Sequence, residues 1–196
     1  MKVIFLDIDG VLNTERKALQ AYEGKCESHD EFGRMFDEES LCWLNKIIDE
    51  TGAEIVISSS WRNDGLGTLR KMWRKRYCKY ILSNMKFDKI SLKGLEILNP
   101  YRHYDKIVDV TFSLTTSNFN EQKTLLRQLS EENAWKRGNQ IDIYLKTHPE
   151  ITKYVIIDDD NDMLDCQQKY FINTKDPNGI EEEHYKNAVR ILNSNL

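Results

Sequence analysis

Three short apolar segments, at residues 2–6, 55–57 and 153–157, alternate along the chain with segments whose apolar residues recur at helical spacing. A short run that is apolar at consecutive positions is typical of a strand buried on both faces. Strands that alternate with helices favour a parallel sheet, because parallel neighbours need a crossover connection. We therefore predict an α/β fold, with an open, mostly parallel sheet, helices on both of its faces, and a small cap or insert.

The predicted helices have recognisable ends. Residues 39–50 place a stripe of apolar side chains on one helical face, and Gly52 follows as a stop signal. A second helix precedes the third apolar segment, and Pro149 lies just beyond its end. Towards the C-terminus the pattern predicts a short edge strand at 170–173, a turn at 176–179 and a closing helix.

Composition narrows the class of protein. The 196 residues are 40% hydrophobic and 31% charged, which excludes a disordered chain and fits one domain, 1–196. The net charge of −4 does not predict nucleic-acid binding, so any such site has to be a local patch. Without a long apolar run or a signal-peptide pattern, we expect a cytoplasmic protein with no membrane segment. The four scattered cysteines predict reduced, buried thiols rather than disulfides or zinc ligands.

Each of the three predicted strands ends in polar side chains. Asp7 and Asp9 follow the first strand, a serine run follows the second, and an acidic run from Asp158 follows the third. In parallel sheets, ligands bind outside the carboxyl ends of the strands. Carboxylates gathered there cannot all be ionised without a cation, and oxygen ligands without a nearby His or Cys favour Mg²⁺. The alternative is that these acids are ordinary loop residues that cap helices.

The same residues carry a resemblance to a known family. The sequence resembles the haloacid dehalogenase-like (HAD) superfamily of phosphatases, whose nucleophile is an aspartate. The matching residues are Asp7 and Asp9 for the first motif, Ser58 for the second, Arg137 or alternatively Lys136 for the third, and Asp158, Asp159 and Asp162 for the fourth. The resemblance implies a Rossmann-like core over the whole chain and a Mg²⁺ cofactor.

The resemblance also implies a role for each matching residue. Asp7 attacks phosphorus and forms an aspartyl-phosphate, while Asp9 protonates the leaving oxygen and later deprotonates the hydrolytic water. Ser58 hydrogen-bonds a phosphate oxygen, and Arg137 holds the charge of the intermediate. The implied metal-binding residues are Asp7, Asp9 (through its backbone carbonyl), Asp158, Asp159 and Asp162.

Two choices among the fourth-motif acids stay open at this point. Asp159 and Asp162 either ligate the metal through water or orient Arg137. Spacing alone does not decide whether Asp158 or Asp159 binds the metal directly, although aligning residues 161–163 with the longer acid motif of the family favours Asp158.

A narrower resemblance concerns the substrate. The runs at 58–62 and 137–159 are similar to those of small HAD phosphatase modules in multi-enzyme RNA repair proteins. We therefore expect a Mg²⁺-dependent phosphomonoester hydrolase, with a nucleotide or a nucleic-acid end as the leading substrate. One alternative is a phosphatase of small metabolites such as sugar phosphates. Another is a catalytically idle module that binds phosphorylated ligands or RNA.

Two segments are expected to interrupt the core. Residues 14–38 are polar and too few for a large cap, so they predict a short flap that is capable of covering the site. Residues 63–135, between the second and third motifs, predict a larger insert that contains one core strand at 106–111. The rest of this insert is either a small cap or a surface extension.

Two further features bear on substrate binding. Segment 70–79 interleaves six Lys and Arg residues with two aromatic residues, a combination that grips single-stranded nucleic acid. Its apolar residues also recur at helical spacing, so the favoured interpretation is a helix with its basic face in water. Ser59 and Arg62 are candidate phosphate- or nucleotide-binding residues, whereas Trp61 is expected mainly to pack.

Overall fold

The computed structural model describes residues 1–85, 91–111, 136–175 and 177–194. The strands and α-helices among them are, in chain order, β1 (Lys2–Leu6), α1 (Glu15–Tyr22), β2 (His29–Asp30), β3 (Gly33–Arg34), α2 (Glu38–Thr51), β4 (Glu54–Ile57), α3 (Leu66–Asn84), α4 (Leu92–Leu98), β5 (Ile107–Val110), α5 (Arg137–Thr147), β6 (Lys153–Asp158), β7 (Phe171–Asn173) and α6 (Glu182–Asn193). Short 3-10 helices lie at Ser60–Asp64, Tyr104–Lys106 and Asp165–Tyr170. The three predicted apolar strands correspond to β1, β4 and β6.

The main sheet has the strand order β5-β4-β1-β6-β7, and every neighbouring pair is parallel. The predicted α/β class is therefore confirmed. The chain moves from β1 outwards through β4 to β5 and then returns to the other side of β1 with β6 and β7. The strand order thus reverses between β1 and β6, where open α/β sheets form a crevice.

The two faces of the sheet bury separate cores. Ile4 and Leu6 of β1 pack on one face together with apolar residues of α2, α3 and α6. Val3 and Phe5 alternate to the other face, where Tyr144 of α5 meets the Phe5 ring edge-on, with the two ring centroids 5.6 Å apart. Because both faces are covered, the strands are apolar at consecutive positions, as the sequence predicts.

Helix α2 shows why the predicted boundaries are close to the observed ones. The Asp37 side chain accepts a hydrogen bond from the backbone N–H of Glu39 and so caps the first turn. At the other end Gly52 has a φ of 67°, the left-handed conformation that ends a helix at little cost for glycine. The helix extends one residue beyond the predicted 39–50 at each end.

The predicted flap at 14–38 contains regular structure that the sequence does not predict. It comprises α1 and the short antiparallel hairpin of β2 and β3. Thr14 caps α1 by accepting from the backbone N–H of Lys17, and its hydroxyl donates to Asp37 over 2.6 Å. A covering role for this segment stays a prediction.

Ion pairs join the hairpin region to α3. Arg76 donates two hydrogen bonds, of 2.9 and 3.0 Å, to the two carboxylate oxygens of Asp30, and both side chains are more than nine-tenths buried. Lys75 and Lys79, which are exposed, pair with Glu31 and Glu27. The buried pair holds the hairpin against the helix, whereas the exposed pairs contribute little.

The predicted insert at 63–135 is only partly described. It includes α3, α4 and the edge strand β5, which confirms the core strand expected at 106–111. Residues 86–90 and 112–135 lie outside the described residues, so the extent of a cap stays a prediction. The predicted turn at 176–179 likewise includes residue 176, which is not described.

One expectation about side chains is wrong. The cysteines are free, but Cys42, Cys78 and Cys166 are exposed and Cys26 is only half-buried, so they are not buried small residues. Three of them fall on helices at positions that face solvent rather than the sheet. Among the described residues, no helix is long and apolar enough to cross a membrane.

We expect Asp30→Asn to lower the free energy of unfolding by about 3 kcal/mol, because it leaves the buried Arg76 guanidinium without its carboxylate. Urea denaturation at neutral pH measures this change. Glu27→Gln is the matched control, since it breaks an exposed pair with Lys79 and should cost about 0.5 kcal/mol or less. Equal effects of the two substitutions would contradict a stabilising role for the buried pair.

The same pair predicts how stability depends on pH. Burial alone would raise the pKa of Asp30, but the hydrogen bonds and charge of Arg76, together with the backbone N–H of Phe32, outweigh it and hold that pKa below its usual value. The unfolded chain then binds this proton at higher pH than the folded chain. The stabilisation should be complete above the ordinary carboxyl pKa and should disappear as the pH falls through the folded value. The difference between the parent chain and Asp30→Asn should therefore shrink at acidic pH.

Candidate active site

Sheet register brings residues at the carboxyl ends of three strands into one row. Leu6 of β1 lies opposite Ile57 of β4 and Ile157 of β6. The next residues along these strands are Asp7, Ser58 and Asp158, and all three are buried. The predicted first, second and fourth motif residues therefore meet at the carboxyl edge of the sheet, beside the crevice between β1 and β6.

Three carboxylates form a compact cluster at this edge. One oxygen from each of Asp7, Asp158 and Asp159 lies within 4.8 Å of the others. Gly10 makes the close approach possible, because a Cβ at this position would overlap the Asp159 carboxylate. Gly10 also has a φ of 70°, which L-residues with side chains rarely adopt. Asp158 and Asp159 thus both belong to the cluster, and the choice between them as direct ligand remains open.

Arg137, the first residue of α5, is the cation that contacts the cluster. Its Nη1 lies 2.8 Å from an oxygen of Asp7 and also donates to the carbonyl of Ser58. Its Nε lies 3.1 Å from an oxygen of Asp158. The alternative third-motif residue, Lys136, is exposed, and only Arg137 of the two reaches these acids.

The loop after β6 holds Arg137 in place. Asp162 accepts a hydrogen bond of 2.8 Å from the backbone N–H of Arg137, and Gln167 donates to the carbonyl of Gly138 over the same distance. Asp162 lies outside the carboxylate cluster. Of the two roles expected for Asp162, this contact fits the one in which it orients Arg137. A water-mediated metal contact stays a prediction.

The balance of charge in the cluster is unfavourable without a further cation. Burial raises the pKa of Asp158, and Asp7 adds to this while Arg137 opposes it. Burial and Asp7 likewise raise the pKa of Asp159. Burial alone would lower the pKa of Arg137, but Asp158 and Asp7 raise it, so this guanidinium is permanently charged. Among the described residues, Arg137 pairs with only two of the three carboxylates, those of Asp7 and Asp158.

These residues fit a hard divalent cation. One oxygen of Asp158 is fully buried and, within the described part of the chain, accepts no hydrogen bond, although Arg137 lies near it. An ion pair without a well-aligned hydrogen bond satisfies a buried carboxylate oxygen only in part, and a bound cation would complete its neutralisation. All ligand atoms offered are carboxylate oxygens, the type that Mg²⁺ prefers. Asp7, Asp158 and Asp159 would hold the ion.

The carboxylate of Asp9 lies apart from the cluster and is held from two sides. Asn13 donates from Nδ2 to one oxygen over 2.9 Å, and Trp61 donates from Nε1 to the other over 3.1 Å. The Trp61 ring packs edge-on against the buried Phe36, which fixes the position of the indole N–H. Asp9 is exposed, so its oriented carboxylate faces solvent and any bound substrate.

The residues that follow β4 carry polar atoms whose hydrogen-bonding capacity is not satisfied by the described residues. The Ser58 hydroxyl accepts a long hydrogen bond from Thr111, and the hydroxyl of Ser59 is buried without a partner among the described residues. Arg62 also has a buried Nε that finds no acceptor in the described segments. Burial and the charge of Arg137 lower the pKa of Arg62 to about 10, so it remains protonated at neutral pH. An anion between the two arginines would offset their repulsion.

Sequence reasoning missed the two residues that hold Asp9. Asn13 is four residues after Asp9, and the tight turn that joins them is recorded by backbone hydrogen bonds from Gly10, Leu12 and Asn13. An acid–Gly–x–x–Asn spacing after a buried strand is the local signal that could have indicated this contact. Trp61 lies 52 residues away in sequence, and no local pattern predicts its hydrogen bond.

A groove of about 690 Å³ opens beside Asp9. Its wall combines the acids Asp9, Glu15 and Asp159 with Arg34 of β3 and Lys175 of the loop after β7. The cluster thus has an open side, large enough to admit a ligand that extends beyond one phosphate group.

Comparison with known proteins agrees with this architecture. The family model described as "HAD domain in Swiss Army Knife RNA repair proteins" matches residues 3–85 and 65–185, which together span 3–185. Neither the curated proteins nor the solved structures that were compared with the chain include a match. The match confirms the resemblance to small HAD modules and supports a HAD-type phosphatase in general. The chain therefore belongs to the HAD domain family of Swiss Army Knife RNA repair proteins.

Proposed function

We propose that the protein is a Mg²⁺-dependent phosphomonoester hydrolase that forms an aspartyl-phosphate on Asp7 and acts on a nucleotide or a nucleic-acid end. The observation that carries this proposal is the cluster of Asp7, Asp158 and Asp159, two of which pair with Arg137. Asp9 lies beside this cluster and is oriented separately. The family match over most of the chain supports the chemistry, and the reference to RNA repair in its description supports the substrate class.

In the first half of the reaction a carboxylate oxygen of Asp7 attacks phosphorus, and the bond from phosphorus to the leaving oxygen breaks. Asp9, protonated for this step, gives its proton to the leaving oxygen. In the second half water attacks the phosphorus of the aspartyl-phosphate, Asp9 takes a proton from it, and Asp7 is regenerated as inorganic phosphate leaves. A bound Mg²⁺ supplies positive charge that stabilises the transferring phosphoryl group.

The cationic and hydroxyl groups around Asp7 bind the phosphoryl oxygens in this proposal. Arg137 keeps Asp7 oriented for attack and compensates its charge. Arg62 and Ser59 present the buried, unused donors described above, and Ser58 presents a hydroxyl in the same row as Asp7. Donors that are fixed before the reaction stabilise the developing charge without reorganisation.

The basic segment 70–79 stays a proposed nucleic-acid contact, but fewer of its basic side chains are available to a ligand than its sequence suggests. Arg70 donates to the carbonyls of Ile107 and Val108, and Arg76 is buried against Asp30. The helical interpretation is correct, since Leu69, Met72 and Trp73 of α3 are buried. Lys71 and Arg74 are exposed and line an open groove of about 680 Å³ with Arg70, Lys75 and Tyr104. A strand of nucleic acid would have to contact these exposed cations.

We expect Asp7→Asn to lower phosphate release from p-nitrophenyl phosphate by at least about 10³-fold, because the amide cannot form the aspartyl-phosphate. Circular dichroism should show an unchanged fold, since the substitution removes a negative charge from a crowded cluster. Asp142→Asn, on the exposed pair with Lys146, is the matched control and should retain full activity. Substantial turnover by Asp7→Asn would contradict the mechanism.

Metal binding can be tested without turnover. Adding Mg²⁺ to the chelator-treated protein should raise the melting temperature of the parent chain, because the ion binds only the folded cluster. Asp158→Asn should lose most of this shift, whereas Asp142→Asn should keep it. An equal Mg²⁺ shift in Asp158→Asn would exclude this cluster as the metal site.

A substrate panel separates the proposed function from its alternatives. We expect higher kcat/KM for mononucleotides and for 5′- or 3′-phosphorylated oligonucleotides than for sugar phosphates, because the groove beside Asp9 extends beyond one phosphate. A preference for sugar phosphates would support the small-metabolite alternative. Mg²⁺-dependent binding of a phosphorylated oligonucleotide without any turnover would support an idle binding module.

Trp61→Phe tests the orientation of Asp9. Phenylalanine keeps a ring against Phe36 but lacks the N–H that donates to Asp9, so we expect kcat to fall about tenfold with little change in KM. Trp43→Phe is the control, since Trp43 stacks on Tyr185 away from the site. A loss that appears only in KM would show that Trp61 binds substrate instead of positioning Asp9.

A further inference from the structure

A cavity of about 230 Å³ lies within the predicted flap segment, between α1 and the hairpin region. Its wall is formed by α1, by the residues that precede this helix and by the hairpin region, and includes Asn13, Lys17, Ser28, His29 and Arg34. The volume is several times the roughly 30 Å³ that one water molecule occupies in the liquid. A tetrahedral phosphate group therefore fits.

Lys17 is the unusual residue of this cavity. It is 9% exposed, and no carboxylate or carbonyl among the described residues pairs with it. Its aliphatic stem is buried, but its Nζ is not among the fully buried, unpartnered atoms, so the ammonium reaches the open space of the cavity. Because no carboxylate of the described residues pairs with it, this ammonium is free to bind an anion that enters the cavity.

The charges that line the cavity have one sign. Besides Lys17, its titratable groups are Arg34, His29 and the exposed Tyr22. No Asp or Glu is among the described residues that line it. Arg34 is exposed and forms no ion pair within the described segments. Asp9, Glu15 and Asp159 line the wider groove, which shares Arg34 with the cavity. Asp37, which accepts from the hydroxyl of Thr14, is already paired with Arg16. The cavity is therefore suited to an anion.

The cavity is continuous with the groove that holds Asp9. Asn13, Thr14, Ala18 and Arg34 line both spaces. Asn13 donates its amide N–H to Asp9, while its buried Oδ1 has no donor in the described part of the chain. A ligand group in the cavity would thus be separated from Asp9, the proposed proton donor to the leaving oxygen, by the side chain of Asn13.

We propose that Lys17 and Arg34 form a second anion subsite, which binds a phosphate on the leaving-group side of the substrate. This inference rests on the proposed function and refines it. The substrate then carries two phosphate groups: the terminal monoester at Asp7, and either the adjacent phosphodiester of a strand or the second phosphate of a nucleoside bisphosphate. Sugar monophosphates and simple aryl phosphates leave the subsite empty.

The test compares two dinucleotides that carry the same terminal phosphate. One has a natural phosphodiester linkage, and the other has an uncharged methylphosphonate linkage. The parent chain should show at least a tenfold higher kcat/KM for the charged linkage, because a hydrogen-bonded charge pair is lost with the neutral one. Both 5′- and 3′-phosphorylated pairs are measured, and the better pair is used.

Three variants then locate the effect. Lys17→Gln and Arg34→Gln should each bring the ratio of kcat/KM values close to one, whereas Lys146→Gln, on the exposed pair with Asp142, should keep the parent ratio. A parent ratio near one, or variants that keep the parent ratio, would overturn the proposal. Because Arg34 is exposed, its variant remains informative if Lys17→Gln fails to fold.

Stability gives a second, independent measurement. Lys17→Met should melt at a higher temperature than the parent chain in phosphate-free buffer, since it replaces a mostly buried lysine that has no ion-pair partner among the described residues by an apolar side chain of similar length. A lower melting temperature would mean that Lys17 has a structural partner and would count against the subsite.

The source of the second phosphate is identified by a third substrate, a nucleoside 3′,5′-bisphosphate. A higher kcat/KM for this bisphosphate than for the phosphorylated dinucleotide assigns the subsite to free nucleotides. A higher kcat/KM for the dinucleotide assigns it to strand ends.

Failure of this inference can be distinguished from failure of the proposed function. If no phosphomonoester is hydrolysed, the same dinucleotide pair, labelled with fluorescein, is titrated with the parent chain and the two glutamine variants. A dissociation constant that depends on the charged linkage and on Lys17 would support the subsite in a non-catalytic protein. Binding that is independent of both would overturn it.

Discussion

The crowding of three carboxylates at the end of β1 and β6 is the constraint on which the rest of the site depends. Asp7, Asp158 and Asp159 lie within 4.8 Å of one another, and Asp7 and Asp158 are buried. Arg137 partly compensates this charge, and Asp162 and Gln167 hold its helix at the required place. The folded chain therefore maintains an electrostatically costly arrangement, which is typical of functional sites rather than of structural ones.

Much of this arrangement could be predicted from the sequence because it follows from local patterns. Apolar runs indicated the central strands, and parallel register brings the residues that follow them into one row. Asp7, Ser58 and Asp158 were therefore identifiable before any coordinates. Arg137 was identifiable only through the family resemblance, and its contact with Asp7 spans 130 residues of sequence.

The residues that sequence analysis missed are those whose role depends on distant contacts. Trp61 was expected mainly to pack, yet its N–H reaches Asp9. Helix α1 was not predicted because Lys17 is its only buried residue, so it lacks the apolar stripe that marks a helix against a core. The exposed cysteines show the same limit, since residue type alone does not place a side chain on the buried face of a helix.

The buried pair of Arg76 and Asp30 limits how far the hairpin can move relative to α3. This contact fastens the hairpin to α3, and Arg34 at the end of the hairpin contributes its carbonyl to the same guanidinium. The hairpin side of the cavity around Lys17 is thus fastened to α3, while the groove beside Asp9 is open. Any displacement of the hairpin from α3 would have to separate two desolvated charges, which costs several kcal/mol.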